Sequence, residues 1–434
     1  MKNILKSKMI LVFAVCVALL LILAGFLGNS VKDPGEKSYD PAKLAGADVR
    51  TVIPIKDYNQ IDIYDAEEGI FLAEKCIYGD DDCRLDVIDS NGEVLKRYEN
   101  MGSLYYFSED NLFFEKENKD GTFSYIITEF TTDPDKKVRE EVYSAAFENS
   151  LNGDLLLMKD NCYRFYDKDR NLIREMPIKD YNISTDRDEV NVAFTGTDEY
   201  AKVRLNNGTC TVINYKTGET VYIAEKNQEV YRKICNKWIV YTDREDGMVD
   251  ITFLNDDFTP AFDGQHCNKF VHNEKYIAFT PMDDKSLEKR IYDSDGNQYE
   301  FPMFGKDVRG FVGDIVLLSK GGAKVSYVNM TGPDKGKAVA NIFETCYMDF
   351  DDGVALSLRP ETSEGPFPDL TYESEPFAKC GYVDEDFKHL TKFNFDYAEM
   401  TQNGYAVVGI ADSYSFRDRM GVIDFKKDRG AFNS

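Results

Sequence analysis

The chain has 434 residues, and its net charge is −25 because 52 Lys and Arg stand against 77 Asp and Glu. This charge repels nucleic acid and anionic lipid headgroups, which disfavours a nucleic-acid-binding protein. Hydrophobic residues make up 43% and aromatic residues 13% of the chain, which is too apolar for a disordered protein. The length fits either several domains or one all-β or repeat array.

The N-terminus carries an uncharged apolar segment, residues 9–28, directly after Lys2, Lys6 and Lys8. A helix of this length rises about 30 Å, which matches the hydrocarbon core of a bilayer. We therefore expect residues 1–28 to be an uncleaved, single-pass transmembrane anchor. The alternative is a secretory signal cleaved near residues 23–25 or 28–30, where small residues follow the apolar run.

The remainder of the chain is expected outside the cell membrane, because the lysine side of such an anchor stays in the cytoplasm. If the segment were a cleaved signal, the remainder would instead be secreted. Residues 29–49 are rich in Pro, Gly, Ser and charged residues, which predicts a flexible linker. Residues 50–434 then form one extracytoplasmic domain.

Cysteine usage fits an oxidising compartment. Nine cysteines are present, and the eight outside the apolar segment allow up to four disulfides. We predict one pair, Cys76 with Cys83, because Gly79 and three aspartates between them are typical of a turn. Further neighbouring pairs are plausible, and the alternative for all of them is buried reduced thiols. Those further pairs are Cys162 with Cys210, Cys235 with Cys267, and Cys346 with Cys380.

From residue 50 onward the chain alternates short apolar runs with Asp, Asn and Gly turns about every 8 to 12 positions, which predicts an all-β fold. One device recurs: one or two apolar residues, then Asp or Asn, then turn residues that often end in Gly. Its copies are residues 87–92, 165–170, 212–218, 253–257, 291–296, 327–332, 382–386 and 422–424, with a weakened copy near 129–133.

The spacing of these copies gives a period of about forty residues, enough for four short strands and a closing hairpin. This is the size of a β-propeller blade, and we predict a propeller of seven to nine blades, with eight as the central estimate. Two domains of β-sandwich type would show similar strand spacing. The first strand, residues 50–55, and the last copy, residues 420–425, are expected to complete one blade between them.

One insertion interrupts the strand pattern. Residues 359–376 contain four prolines and five acids, which predicts a projecting loop. Such a loop is either a partner-binding element or a plain solvated excursion.

The last two copies resemble bacterial WG-type repeats. The pattern is carried by residues 381–384 (GYVD), 395–398 (FDYA), 403–408 (NGYAVV) and 420–424 (MGVID). Tyr382 and Val422 stand where the family has the Trp that names it. The resemblance implies a repeat protein with an interaction or envelope role, and it brings no catalytic residues.

No recognisable catalytic or metal-binding constellation is present. His266, His272 and His389 show no metal-ligand spacing, and His266 and Cys267 point to opposite faces if they lie on one strand. The acidic turns 80–82 and 293–296 lack the later Glu of a calcium loop, so we expect their aspartates to cap their own turns. We predict no metal site and no cofactor, and catalytic residues remain unassigned.

The sequence thus favours a membrane-anchored, extracytoplasmic β-propeller-like binding or scaffold protein over an enzyme. Its partner would be a protein or a component of the cell envelope. The alternative is a glycan-active hydrolase or lyase, for which Asp, Glu, Arg and Tyr would converge at one mouth of the central channel.

Overall fold

The computed structural model describes residues 38–426 except 77–82, 186–190, 245–247, 283–288, 300–306, 320–324, 343–344, 347–349, 361–377 and 413–416. The described residues contain one short helix, α1 (Pro41–Ala45), a 3-10 turn (Phe262–Gly264) and 35 strands. The first described strand, β1 (Arg50–Tyr58), pairs with the last described strand. The predicted anchor, residues 9–28, lies outside the described residues, among which no helix has the length and apolar character to cross a bilayer.

Sheets 1 to 4, numbered in chain order, are antiparallel meanders in which sequence neighbours pair. Sheet 1 contains β2 (Gln60–Asp65), β3 (Ile70–Lys75), β4 (Arg84–Ile88) and β5 (Val94–Glu99). Sheet 2 contains β6 (Ser103–Phe107), β7 (Asn111–Glu117), β8 (Phe123–Glu129) and β9 (Glu140–Tyr143). Sheet 3 contains β10 (Ala145–Glu148), β11 (Leu155–Lys159), β12 (Cys162–Tyr166) and β13 (Leu172–Pro177). Sheet 4 contains β14 (Val192–Phe194), β15 (Tyr200–Arg204), β16 (Cys210–Asn214) and β17 (Thr220–Ile223).

Sheets 5 to 8 repeat this topology, and sheet 8 has three described strands. Sheet 5 contains β18 (Gln228–Ile234), β19 (Lys237–Asp243), β20 (Val249–Leu254) and β21 (His266–Cys267). Sheet 6 contains β22 (Phe270–His272), β23 (Tyr276–Phe279), β24 (Arg290–Asp293) and β25 (Gln298–Tyr299). Sheet 7 contains β26 (Asp307–Val312), β27 (Ile315–Ser319), β28 (Val325–Asn329) and β29 (Ala338–Ile342). Sheet 8 contains β30 (Thr345–Cys346), β31 (Val354–Pro360) and β32 (Ala378–Asp384).

Sheet 9 joins the two ends of the chain. It contains β33 (Tyr397–Ala398), β34 (Tyr405–Asp412) and β35 (Arg417–Asp424), with β1 as its outer strand. Arg50 pairs with Asp424 and Thr51 with Ile423 in antiparallel register. The two chain ends therefore complete one sheet, as the sequence predicted.

Apolar clusters lie between every pair of consecutive sheets and again between sheet 9 and sheet 1. Both faces of each sheet are thus covered, which explains why so many strands are buried along most of their length. At the contact of sheets 9 and 1, the rings of Tyr405 and Phe71 meet edge to face with centroids 5.1 Å apart. A succession of four-stranded sheets that packs face to face and returns to its start is propeller-like.

In sheets 1 and 3 to 7, the recurring Asp or Asn device connects the third strand to the fourth. In sheet 1, Asp89 Oδ1 accepts hydrogen bonds from the backbone N–H of Asn91 (2.9 Å) and Glu93 (2.8 Å). Gly92 follows with a φ of 83°, which an L side chain rarely adopts. The carboxylate therefore supplies the acceptor for the turn, and the glycine supplies its backbone conformation.

The second half of the predicted linker is folded, since residues 38–49 pack on sheet 9. Asp40 caps α1, accepting from the N–H of Ala42 (3.1 Å), and Ala45 is fully buried. The N–H of Lys392 donates to Ala45 O (2.7 Å), and Tyr39 forms a bridge with Ile55. The linker prediction missed the contact between Ala45 and Lys392 because these two residues are more than three hundred positions apart in sequence.

The seam between β1 and the rest of the ring is close-packed. A Cβ on Gly421 would lie 2.6 Å from Ile53 O and 2.8 Å from Ile55 N, both in the backbone of β1. Any side chain at this position would therefore prevent β1 from lying so close to β35. Across the seam, Tyr58 donates to Asp86 Oδ2 in sheet 1 (2.8 Å). Asp86 is fully buried and also pairs with two arginines of its own sheet, Arg84 (3.0 Å) and Arg97 (2.7 Å).

Candidate functional site

The predicted disulfide between Cys76 and Cys83 is present, with an S–S distance of 2.03 Å. It joins the end of β3 to the start of β4, and residues 77–82 between them lie outside the described part. Cys83 Sγ is 3.1 Å from Ser103 Oγ of sheet 2. The carboxylate of Glu74 lies within 4.8 Å of both sulfurs, but two sulfurs bonded to each other are not thiolate ligands for a metal.

The other suggested cysteine pairs do not form where both partners can be judged. Cys162, Cys210, Cys235 and Cys267 are free and buried, and Cys380 is free as well. Burial raises the pKa of the Cys267 thiol to about 12, which keeps it protonated and unreactive. These cysteines are therefore small apolar core residues, the alternative that the sequence left open.

Histidines and acidic turns do not converge on a site in the described residues. His266 and His272 lie in sheets 5 and 6, and His389 packs edge to face against Phe393 after β32. Asp293 Oδ1 accepts from the N–H of Asp295 (3.0 Å) and Asn297 (2.8 Å), so it caps its own turn. The acidic turn 80–82 and all but the first two residues of the predicted loop 359–376 lie outside the described part.

Three acids that the sequence did not single out lie near the innermost strands at the junction of sheets 9, 1 and 2. Asp62 is on β2, Glu74 is on β3, and Glu399 directly follows β33. Gln60 pairs with Glu74 and Asp62 with Leu72, so both acids of sheet 1 face sheet 2. We call these three residues the seam acids. None of them forms an ion pair with a residue in the described ranges.

The seam acids are held by hydrogen bonds rather than by cations. The backbone N–H of Leu104 donates to Glu74 Oε1. Gln60 Nε2 donates to Asp62 Oδ2 (2.9 Å), and the Tyr397 hydroxyl donates to Glu399 Oε1 (2.5 Å).

Burial without a counter-ion changes the ionisation of these groups. Burial raises the pKa of Glu74 to about 7, a shift opposed by the Leu104 hydrogen bond and increased by the charge of Asp62. Burial likewise raises the pKa of Glu399 to about 7, and Asp62 adds to this shift as well. Two of the seam acids are therefore partly protonated near neutral pH.

A cleft of about 430 Å³ lies elsewhere, between sheets 2 and 3. One wall carries the polar ends of β7, β8 and β9, and the other carries β11, the end of β12 and the turn after it. It contains two tyrosines, two arginines, two glutamates and an asparagine above an apolar floor. The lining residues are Asn111, Ile127, Thr128, Glu129, Arg139, Glu141, Tyr143, Leu157, Tyr166 and Arg170.

Comparison with known proteins gives no family. No family model matches the chain, and no curated protein matches it. Among solved structures, the C-terminal WD40 domain of Sif2 is 12% identical, with a TM-score of 0.34, over 87% of this chain and 98% of that chain. The computationally designed Ika8 protein is also 12% identical with a TM-score of 0.34, over 72% of this chain and 94% of that chain. The Neurospora crassa Pan2 WD40 domain is 8% identical with a TM-score of 0.27, over 51% and 73%.

Proposed function

We propose that this chain is a membrane-anchored, extracytoplasmic propeller that binds a component of the cell envelope. In this proposal the nine sheets are the blades of one closed ring, one more than the central estimate from the sequence. The observation that carries it is the closure of sheet 9 by β1, which joins the first and last described strands in one sheet. The cleft between sheets 2 and 3 offers a place for a ligand. Residues 9–28 would tether that body to the membrane.

In this proposal, the folding of residues 38–49 onto sheet 9 makes the tether short. Because the chain is packed against the ring from Tyr39 onward, about ten residues separate the end of the apolar segment from the folded body. Ten extended residues span at most about 35 Å, so the ring would stay near the membrane surface.

The resemblance to WG-type repeats fits the same proposal. Gly381 and Gly421 occupy the third strand of sheets 8 and 9, and both lie at close approaches. A Cβ on Gly381 would lie 3.1 Å from the ring of Phe393. A Cβ on Gly421 would clash with the backbone of β1. We propose that the two glycines are equivalent positions of one repeat.

Cell fractionation tests the anchor and its orientation. We expect the full-length chain in carbonate-washed membranes and degraded by protease added to spheroplasts. Replacing Leu20 and Leu21 with arginine places two charges in the apolar segment, each costing about 3 kcal/mol, and should abolish membrane insertion. Leu20→Ile is the matched control. A chain protected from external protease would refute the orientation, and a shortened chain free of the membrane would replace the anchor by the secreted alternative.

The seam acids favour the hydrolase or lyase alternative in one respect, because a carboxyl with a pKa near 7 suits a general acid. Against it, Glu74 is only 5% exposed and its carboxylate is occupied by a backbone N–H. Release of reducing ends from polysaccharides by the full-length chain, lost in Glu399→Gln and kept in the exposed-site variant Glu225→Gln, would support the enzyme.

A further inference from the structure

The cleft between sheets 2 and 3 has walls whose side chains point at each other. On sheet 2, Asn111 pairs with Glu129 and Ile127 with Glu141, which places these four side chains on one face. That face meets sheet 3, since Ile127 packs in the same cluster as Leu157. Ile127 and Leu157 are buried and form the floor, and the polar side chains stand above them.

Arg170 in the cleft has N–H donors beyond the one that binds Asn111. Arg170 Nη2 donates to the carboxamide oxygen of Asn111 (2.9 Å), and Arg170 forms no ion pair with any residue in the described ranges. It lies near enough to Glu148 to lower the pKa of that carboxyl, although other effects raise it overall. A guanidinium has five N–H donors in a planar fork that fits a carboxylate, so Arg170 can still bind an anion.

The second arginine, Arg139, forms an ion pair with an acid that a second bond also holds in place. Glu141 accepts from the Tyr143 hydroxyl (2.6 Å) and pairs with Arg139 (3.2 Å), whose side chain is 85% exposed. Glu129 at the rim pairs with Lys136 (2.5 Å). The cleft therefore offers carboxylate acceptors as well as guanidinium donors, and its cations offset its acids although the whole chain is strongly acidic.

Two half-buried rings frame the opening. Tyr143 belongs to sheet 2 and Tyr166 to sheet 3. Each ring packs on the apolar floor of the cleft and adds apolar surface to its walls. Arg170 and Tyr166 both lie close enough to Tyr143 to influence its pKa, which burial and Glu141 raise to about 12. The two rings and the Arg170 guanidinium thus face one common space.

We propose that this cleft binds an acidic saccharide. The carboxylate of the sugar would pair with Arg170, its hydroxyls would donate to Glu141 and Glu129, and its apolar ring face would lie on Tyr166. A neutral sugar has no carboxylate to pair with the Arg170 guanidinium. A simple carboxylic acid has neither hydroxyls for the glutamates nor a ring face for Tyr166. The volume falls within the range of small-ligand sites. This inference rests on the proposed binding function and names its ligand class.

Isothermal titration calorimetry of the full-length chain in detergent tests the site, with tetragalacturonate as the probe. We expect saturable binding of tetragalacturonate and none of neutral cellotetraose or of tricarballylate, a carboxylic acid without a sugar ring. Arg170→Gln should weaken binding at least tenfold, because a charge-assisted hydrogen-bonded pair is lost. Arg244→Gln, at an exposed ion pair in sheet 5, is the matched control and should not change the affinity.

A second pair of variants separates ring contact from hydroxyl contact. Tyr166→Ala should weaken binding about tenfold, whereas Tyr166→Phe, which keeps the ring, should bind like the natural chain. Far-ultraviolet circular dichroism and thermal unfolding establish that each variant folds.

The proposal is overturned if the natural chain does not bind tetragalacturonate, if cellotetraose binds equally well, or if Arg170→Gln and Tyr166→Ala both leave the affinity unchanged. These results are independent of the fractionation experiment. A chain correctly placed at the membrane that ignores tetragalacturonate refutes the ligand class alone, and a chain protected inside the cell refutes the proposed function.

Discussion

Glu74→Gln should stabilise the protein, and by an amount that depends on pH. The glutamine keeps an oxygen that can accept the Leu104 N–H, so the hydrogen bond remains while the ionisable group is removed. The natural Glu74 has its pKa raised from 4.5 to about 7 by burial, so the folded state holds a proton that the unfolded state has lost. Stability therefore falls as pH rises from 4.5 towards 7, and is not regained above it.

The size of the effect follows from this difference. Each pH unit in that window is worth about 1.4 kcal/mol, so raising the pH from 5.5 to 8.5 should destabilise the natural chain by about 2 kcal/mol through Glu74. Glu74→Gln lacks this loss. We expect the variant to exceed the natural chain in unfolding free energy by about 2 kcal/mol more at pH 8.5 than at pH 5.5.

Urea unfolding followed by tyrosine fluorescence at the two pH values measures the difference. Glu225→Gln, at an exposed position, is the control and should give the same small change at both. If Glu74→Gln alters stability equally at pH 5.5 and pH 8.5, burial does not hold this carboxyl protonated. The inference that burial raises the pKa of the seam acids is then wrong.

Three further predictions concern the seam and the disulfide, all measured by urea unfolding. Gly421→Ala should destabilise the ring by about 3 kcal/mol, because its Cβ would meet the backbone of β1, which cannot move like a side chain; an unchanged midpoint would contradict the close approach. Tyr58→Phe should cost about 1–2 kcal/mol through its lost hydrogen bond to buried Asp86, and no change would show that the seam does not depend on it. Reducing the Cys76–Cys83 disulfide should cost about 2 kcal/mol, as expected for a short loop, and Cys83→Ser should abolish the response to reductant.

The repeat could be predicted from the sequence because its turns require particular residue types. An Asp or Asn acceptor at the first turn position recurs in these hairpins. A residue with positive φ follows it, which is a glycine in some turns, such as Gly92, and another residue in others, such as Arg170 and Phe258. The eight clear copies and the weakened one near Glu129 each lie at the end of the third described strand of a sheet. The weakened copy lies in the longer connection between β8 and β9.

The seam acids and the cleft could not be predicted from the sequence in the same way. Glu74 is one of 77 acids, and only the register of β2 with β3 places the acid Asp62 close to it. Arg139 and Arg170 are thirty-one residues apart and belong to different sheets, so no local pattern joins them. Local chemistry and the repeat period thus predicted the turns, the Cys76–Cys83 pair and the sheet completed by β1. The arrangement between sheets was needed to find the seam acids and the cleft.

The closure of sheet 9 has a consequence for how the chain is made. Arg50 and Asp424 are 374 residues apart, so at roughly 5–20 residues per second β1 leaves the ribosome roughly 20–75 s before its partner. Throughout synthesis β1 lacks the neighbour that covers its edge, and the edge of sheet 9 on a second nascent chain would fit it equally well. Neighbouring ribosomes on one message are therefore a natural source of strand-exchanged dimers.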